Sequence, residues 1–130
     1  MSIESNIFAV PFSQSGSFVQ GISCPRGMFK LPIDATLIGV SFYADGAGEA
    51  TLSVDVDEGD MGILDKTITV GGYRAVLFGR SDFGYDAGQP PLYQQNQYPH
   101  ITKDHSVTFV TYLNSPTTTN LAVVFYFLAG

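Results

Sequence analysis

The sequence predicts a single all-β domain, an antiparallel β-sandwich of jelly-roll type with about eight strands. Apolar residues recur at spacing two rather than 3.6, glycine or proline punctuates the chain roughly every eight to fifteen residues, and helix signals are almost absent. At 130 residues the chain has the length of one domain. Such a domain buries roughly two-thirds of its unfolded surface and is stable without disulfide or metal staples.

Taken in order, the first strands are expected at Ile7 to Phe12 and at Ser17 to Ile22. The polar-rich start, Met1 to Gly16, has the composition of an extended arm whose order depends on contacts, with the sandwich proper over 17–130. From Ala35 to Ala44, the residues Thr36, Ile38, Val40, Phe42 and Ala44 share one face, and Asp45-Gly46-Ala47-Gly48 ends the run as a turn. From Glu49 to Val56, Ala50, Leu52, Val54 and Val56 point inward while Thr51, Ser53 and Asp55 point outward. These two runs read as a β-hairpin. Lys66 to Val70, a Gly71-Gly72 turn and Tyr73 to Phe78 read as a second hairpin.

His105 to Leu113 alternates Val107, Phe109 and Thr111 against Thr108, Val110 and Tyr112, and Asn114-Ser115-Pro116 breaks it. The last strand, Thr119 to Leu128, is apolar on both faces, so it is expected to be covered on both sides. Asp82 to Pro99 fits no strand. A loop beyond about 12 to 15 residues is usually functional or disordered, and Tyr85, Tyr93 and Tyr98 set among Gln, Asn, Gly and Pro have the composition of a binding loop.

Composition narrows the function. Net charge is -6, and three lysines and three arginines spread along the chain build no basic stripe, so nucleic acid is not the expected partner. Charged residues reach only 14% against roughly 25% in an average domain, while aromatic residues reach 13%. Surfaces buried between subunits are depleted in charge and enriched in Tyr, Phe and Met, so the chain is expected to work in an assembly. The apolar residues of the arm, Ile7, Phe8 and Phe12, join Tyr85, Tyr93, Tyr98 and Tyr126 as the expected partner contacts. The N-terminus has no basic and apolar leader, and Leu121 to Ala129 is about half a membrane span, so neither export nor a membrane is expected.

Signals for chemistry are sparse. Cys24 is the single cysteine, so no internal disulfide forms, and His100 and His105 belong to no recognisable triad. No Gly-x-Ser-x-Gly elbow, His-Glu-x-x-His pair or P-loop is present. The acidic run Asp55-Val56-Asp57-Glu58-Gly59-Asp60 makes Asp55, Asp57 and Asp60 the one weak Ca²⁺ candidate. It lacks the twelfth-position glutamate and flanking helices of an EF-hand and reads first as a solvated turn. No cofactor and no enzymatic activity are expected.

The runs Ala35-Thr36-Leu37-Ile38-Gly39-Val40-Ser41-Phe42 and Ala50-Thr51-Leu52-Ser53-Val54-Asp55-Val56, with a closing hairpin from Val107 to Leu128, resemble the small jelly-roll proteins that decorate or cement the capsids of tailed bacteriophages. The resemblance spans the chain without a diagnostic motif, so no site residue transfers from it. It implies a structural virion protein, made in the host cytoplasm and often trimeric. Its partner would be the major capsid protein or another virion protein, and its role to hold the lattice against expansion. The rival reading on the same scaffold is a carbohydrate- or receptor-binding module of a phage tail or lectin-like protein. Such a module would show exposed aromatic side chains beside carboxylate and amide groups at one end of the sandwich.

Overall fold

A computed structural model describes residues 6–19, 26–46, 48–56, 61–70, 76–83, 98–113 and 117–130. Its strands are β1 (Ile7–Val19), β2 (Arg26–Lys30), β3 (Ala35–Gly46), β4 (Gly48–Val56), β5 (Met61–Val70), β6 (Val76–Phe78), β7 (His100–Ile101), β8 (Ser106–Leu113) and β9 (Thr117–Ala129). A 3-10 turn at Arg80–Asp82 follows β6. All pairings are antiparallel and fall into two sheets, ordered β1-β9-β3-β6 and β2-β8-β4-β5, with β7 on the end of β3.

The pairing is nested from the outside in: β1 with β9, β2 with β8, β3 with β6 and β4 with β5. One long hairpin wrapped into two sheets produces this order, which is the jelly roll. Among the consecutive strands, only β4 and β5 pair with each other. All three expected hairpins are therefore something else. β3 and β4 lie in different sheets, as do β5 and β6, and β8 and β9. A glycine-rich turn announces a reversal, but alternation alone does not say whether the chain returns beside itself or crosses to the facing layer. The true hairpin rounds the acidic run, with Val56 opposite Met61.

The segment expected as an arm is, from Ile7 onward, an edge strand of the first sheet, continuous through the expected gap before Ser17 apart from a register shift between Gln14 and Ser17. Burial explains why it is tied down. Phe8 stacks on Phe127 with centroids 5.4 Å apart, and Phe12 lies 4.8 Å from Phe109 and 5.5 Å from Phe29. Phe125 completes this aromatic layer, 5.2 Å from Phe29 and 5.5 Å from Phe109. Each such pair contributes about 0.5–1.5 kcal/mol beyond the area it removes from water.

Below the aromatics, Ala50, Leu52, Val54 and Val56 of β4 face Val40, Phe42, Val123 and Phe127, all buried. In β3 the inward set differs from the expected one. Ala35 and Leu37 are buried, then Val40, Phe42 and Ala44. A bulge between Leu37 and Gly39 adds Ile38 without a partner, and one extra residue reverses the parity that strict alternation assumes. A matching shift between Val54 and Asp55 lets Ile63 and Leu64 both enter the core.

Strand β2 approaches so closely that a Cβ on Gly27 would lie 2.7 and 2.9 Å from carbons of the Phe109 ring. That ring is held between Phe12 and Phe125, so it has little freedom to swing aside. Gly27→Ala is expected to lower stability by about 1–3 kcal/mol, read as a lower urea midpoint with unchanged slope.

Candidate docking surface

Because side chains alternate along a strand, the sheet that sends Phe125 and Phe127 inward must send their neighbours outward. On β9 those neighbours are Ala122, Val124, Tyr126 and Leu128, and β9 is a central strand flanked by β1 and β3. Register then fixes four rows across the outer face. They read Ile7–Leu128–Thr36, Ala9–Tyr126–Gly39, Pro11–Val124–Ser41–Leu77 and Ser13–Ala122–Tyr43. β7 adds His100 to the first row beside Thr36, and none of the other residues in these rows carries a charged side chain. Leu77 is 67% exposed, Ile7 54% and Leu128 41%. Gly39 forms the floor of a slot between Leu77 and Tyr126, since a Cβ there would meet their side chains at only 3.6 and 3.8 Å.

The other outer face has a different chemistry. Its rows include Met28–Thr108–Asp55 and Arg26–Val110–Ser53–Asp65, with Lys30 beside Ser106 and a Thr51–Thr67 hydroxyl contact of 2.7 Å. An open groove of about 470 Å³ runs over Arg26, Gly27, Met28, Asp55, Thr108 and Val110. The molecule is thus two-sided, with an uncharged face on one sheet and a charged, hydroxyl-rich face on the other.

The uncharged face ends in a polar rim. The Tyr43 hydroxyl donates to Asp45 Oδ1, and Asn120 Nδ2 donates to Asp45 Oδ2 at 3.3 Å. Asn120 is, among the described residues, the only non-glycine with positive φ, at 52°, where asparagine is tolerated better than most residues. β3 shifts register at the same level, between Ala44 and Asp45.

Of the expected partner contacts, Ile7 and Tyr126 lie on the uncharged face. Phe8 and Phe12 do not, because their parity turns them into the aromatic layer. Tyr98 is exposed, its ring edge-on to buried Phe83 at 6.4 Å, and the neighbouring Pro99 carbonyl accepts from the Leu37 N–H at 2.8 Å. Tyr85 and Tyr93 lie outside the described residues. The face also takes in Ala9, Pro11, Val124, Leu128 and Leu77, which composition did not single out. The signal was the second apolar face of β9, which one layer of this chain leaves half-buried.

For the cation candidate, Asp55 sits on the outward side of β4, while Asp57 and Asp60 fall outside the described residues. Among the described residues no three His, Cys, Asp or Glu converge. Burial, and then the charge of Asp65, push the Asp55 carboxyl above its ordinary pKa. Between the ordinary and the raised value the folded state holds more protons than the unfolded, so stability falls as pH rises through that window. Asp55→Asn is expected to melt above the parent at pH 7, the gap closing by about pH 3, where both states are protonated. His100 Nε2 contacts the Gly130 carbonyl at 3.0 Å, joining β7 to the chain just past β9, and the His105 backbone N–H closes a turn by donating to the Thr102 carbonyl at 3.1 Å. Between the sheets, a cleft of about 90 Å³ lined by Phe12, Arg26, Phe109 and Val123 is smaller than the roughly 300–1,000 Å³ of most ligand pockets.

Comparison with protein-family models, curated proteins and solved structures finds no match to this chain.

Proposed function

We propose that this protein is a structural assembly module, a capsid decoration or cement protein that docks on a neighbouring protein through the outer face of the β1-β9-β3-β6 sheet. The observation that carries this reading is the asymmetry between the sheets. A face without charge is removed from water with no ion left unpaired, whereas burying an isolated carboxylate or ammonium is expensive. Apolar residues at the centre with Tyr43, Asp45 and Asn120 at one end match the apolar core and polar rim of protein interfaces. The charged sheet stays toward solvent and keeps the assembly soluble. On this reading the protein is non-catalytic and needs no cofactor. It is made in the host cytoplasm and resides in the virion as a homo-oligomer, a trimer, on the major capsid protein. Multi-angle light scattering and mass spectrometry of purified virions test it. A mass of three chains, or the polypeptide in virions, supports the reading, and a strict monomer absent from virions overturns it.

The Tyr43–Asp45–Asn120 cluster favours the second reading, a glycan-binding module, because it places a phenol, a carboxylate and an amide together at one end of the sandwich. A glycan array decides between the two. Specific hits from a monomer, lost in Asp45→Ala, would replace the docking reading.

A further inference from the structure

We infer that the free edge of β1 is a latent strand-pairing surface for a second copy of this chain, and that Pro11 keeps it shut. Five of the described strands have a sheet neighbour on one side only. β6 and β7 are three and two residues long, β2 carries Arg26 and Lys30, and β5 carries Asp65 and Lys66. Shortness and charge are the usual protection of an edge against pairing with another chain. β1 has neither. It runs for thirteen residues with no charged side chain, and among the described residues it has one neighbour, β9.

What β1 does have is Pro11. Its ladder with β9 continues without a shift from Ile7 to Gln14, and a proline cannot complete a bonded antiparallel pair. Pro11 and Val124 therefore form a non-bonded pair. Backbone groups alternate sides along a strand, so Ile7, Ala9 and Ser13, which share the parity of Pro11, direct their N–H and C=O groups away from β9. The outward edge is a complete row interrupted at its centre by one missing donor and a pyrrolidine ring, the position where proline is tolerated in sheets.

The occupant such an edge fits is another β1. The two strands match in length, neither brings a charge to a molecule of net charge -6, and antiparallel pairing about Pro11 makes one continuous sheet whose two uncharged faces lie on the same side. Pro11 thus confines association to the face and keeps assembly from running on through the edge.

The test compares the parent, Pro11→Val and Ala9→Pro/Pro11→Val by light scattering and amide hydrogen exchange. In the parent, the amides of Ile7, Ala9 and Ser13 are expected to exchange at least about tenfold faster than those of Phe8, Val10 and Phe12. In Pro11→Val the mass at least doubles relative to the parent at high concentration, and the outward amides become protected by about tenfold or more. The double variant, which moves the proline to another outward-directed N–H without adding charge, returns both readouts to the parent's. Because masses are compared with the parent's own, the outcome is independent of whether the parent docks by its face. Pro11→Ala, which restores the N–H with least added bulk, stands in if valine disturbs the strand. Parental mass and exchange in a folded Pro11 variant, or outward amides already protected in the parent, would overturn the inference.

Discussion

Lysine in place of Val124 is expected to leave the fold intact and to weaken association at least about a hundredfold. Val124 is at the centre of the uncharged face, with Pro11 on one side and Ser41 on the other. In the free molecule the long stem lies along the sheet and the ammonium stays in water, so the melting temperature changes little, as for most surface substitutions. In the docked state the same ammonium has no carboxylate beside it, since Asp45 lies two rows away at the rim. Leaving a buried charge uncompensated costs about 3–5 kcal/mol, and 1.4 kcal/mol is a factor of ten in affinity. The measurement is the concentration dependence of mass beside a thermal melt. An unchanged oligomer would show that this face is not the one in contact.

Alanine at the next position, Phe125, is expected to do the reverse. That side chain is fully buried and touches the rings of Phe12, Phe29 and Phe109. Its loss removes the transfer energy of a ring and leaves a cavity bounded by aromatic groups that cannot all collapse into it. Phe→Ala in such a core costs about 3–5 kcal/mol, a large share of the roughly 5–15 kcal/mol that holds a domain together. The melting temperature should fall by about 10–20 °C. A drop below about 1 kcal/mol by urea titration would mean that the aromatic layer is looser than its ring spacings imply. Two adjacent residues on one strand thus separate stability from docking.

Much of this architecture was legible because alternation is a direct consequence of strand geometry. β4 has the inward and outward sets that its sequence dictates, whereas β9, expected to be covered on both sides, has one face in the core and the other half-buried, with Leu128 exposed. What was not legible depends on contacts distant in sequence. β2 is five residues with charge at both ends and a glycine within, too short to show a period. β1 is diluted by Ser, Gln and Gly, and its order comes from rings supplied by β2, β8 and β9. The bulge at Ile38 leaves no compositional trace, yet it reverses which alternate residues in the first part of the 35–44 run face the core. The docking face was half visible for the same reason. Its β9 column stood out, whereas Ala9, Pro11 and Leu77 join it only through register.

The nested pairing bears on how a copy is made. β9 lies between β1 and β3, so among the described strands the one translated last joins the first to the third. β1 has no described partner until residues 117–129 have been made, and contacts this far apart in sequence place folding in the millisecond-to-second range. A chain without β9 would lack the strand that holds β1 to β3, and its first sheet would stay open.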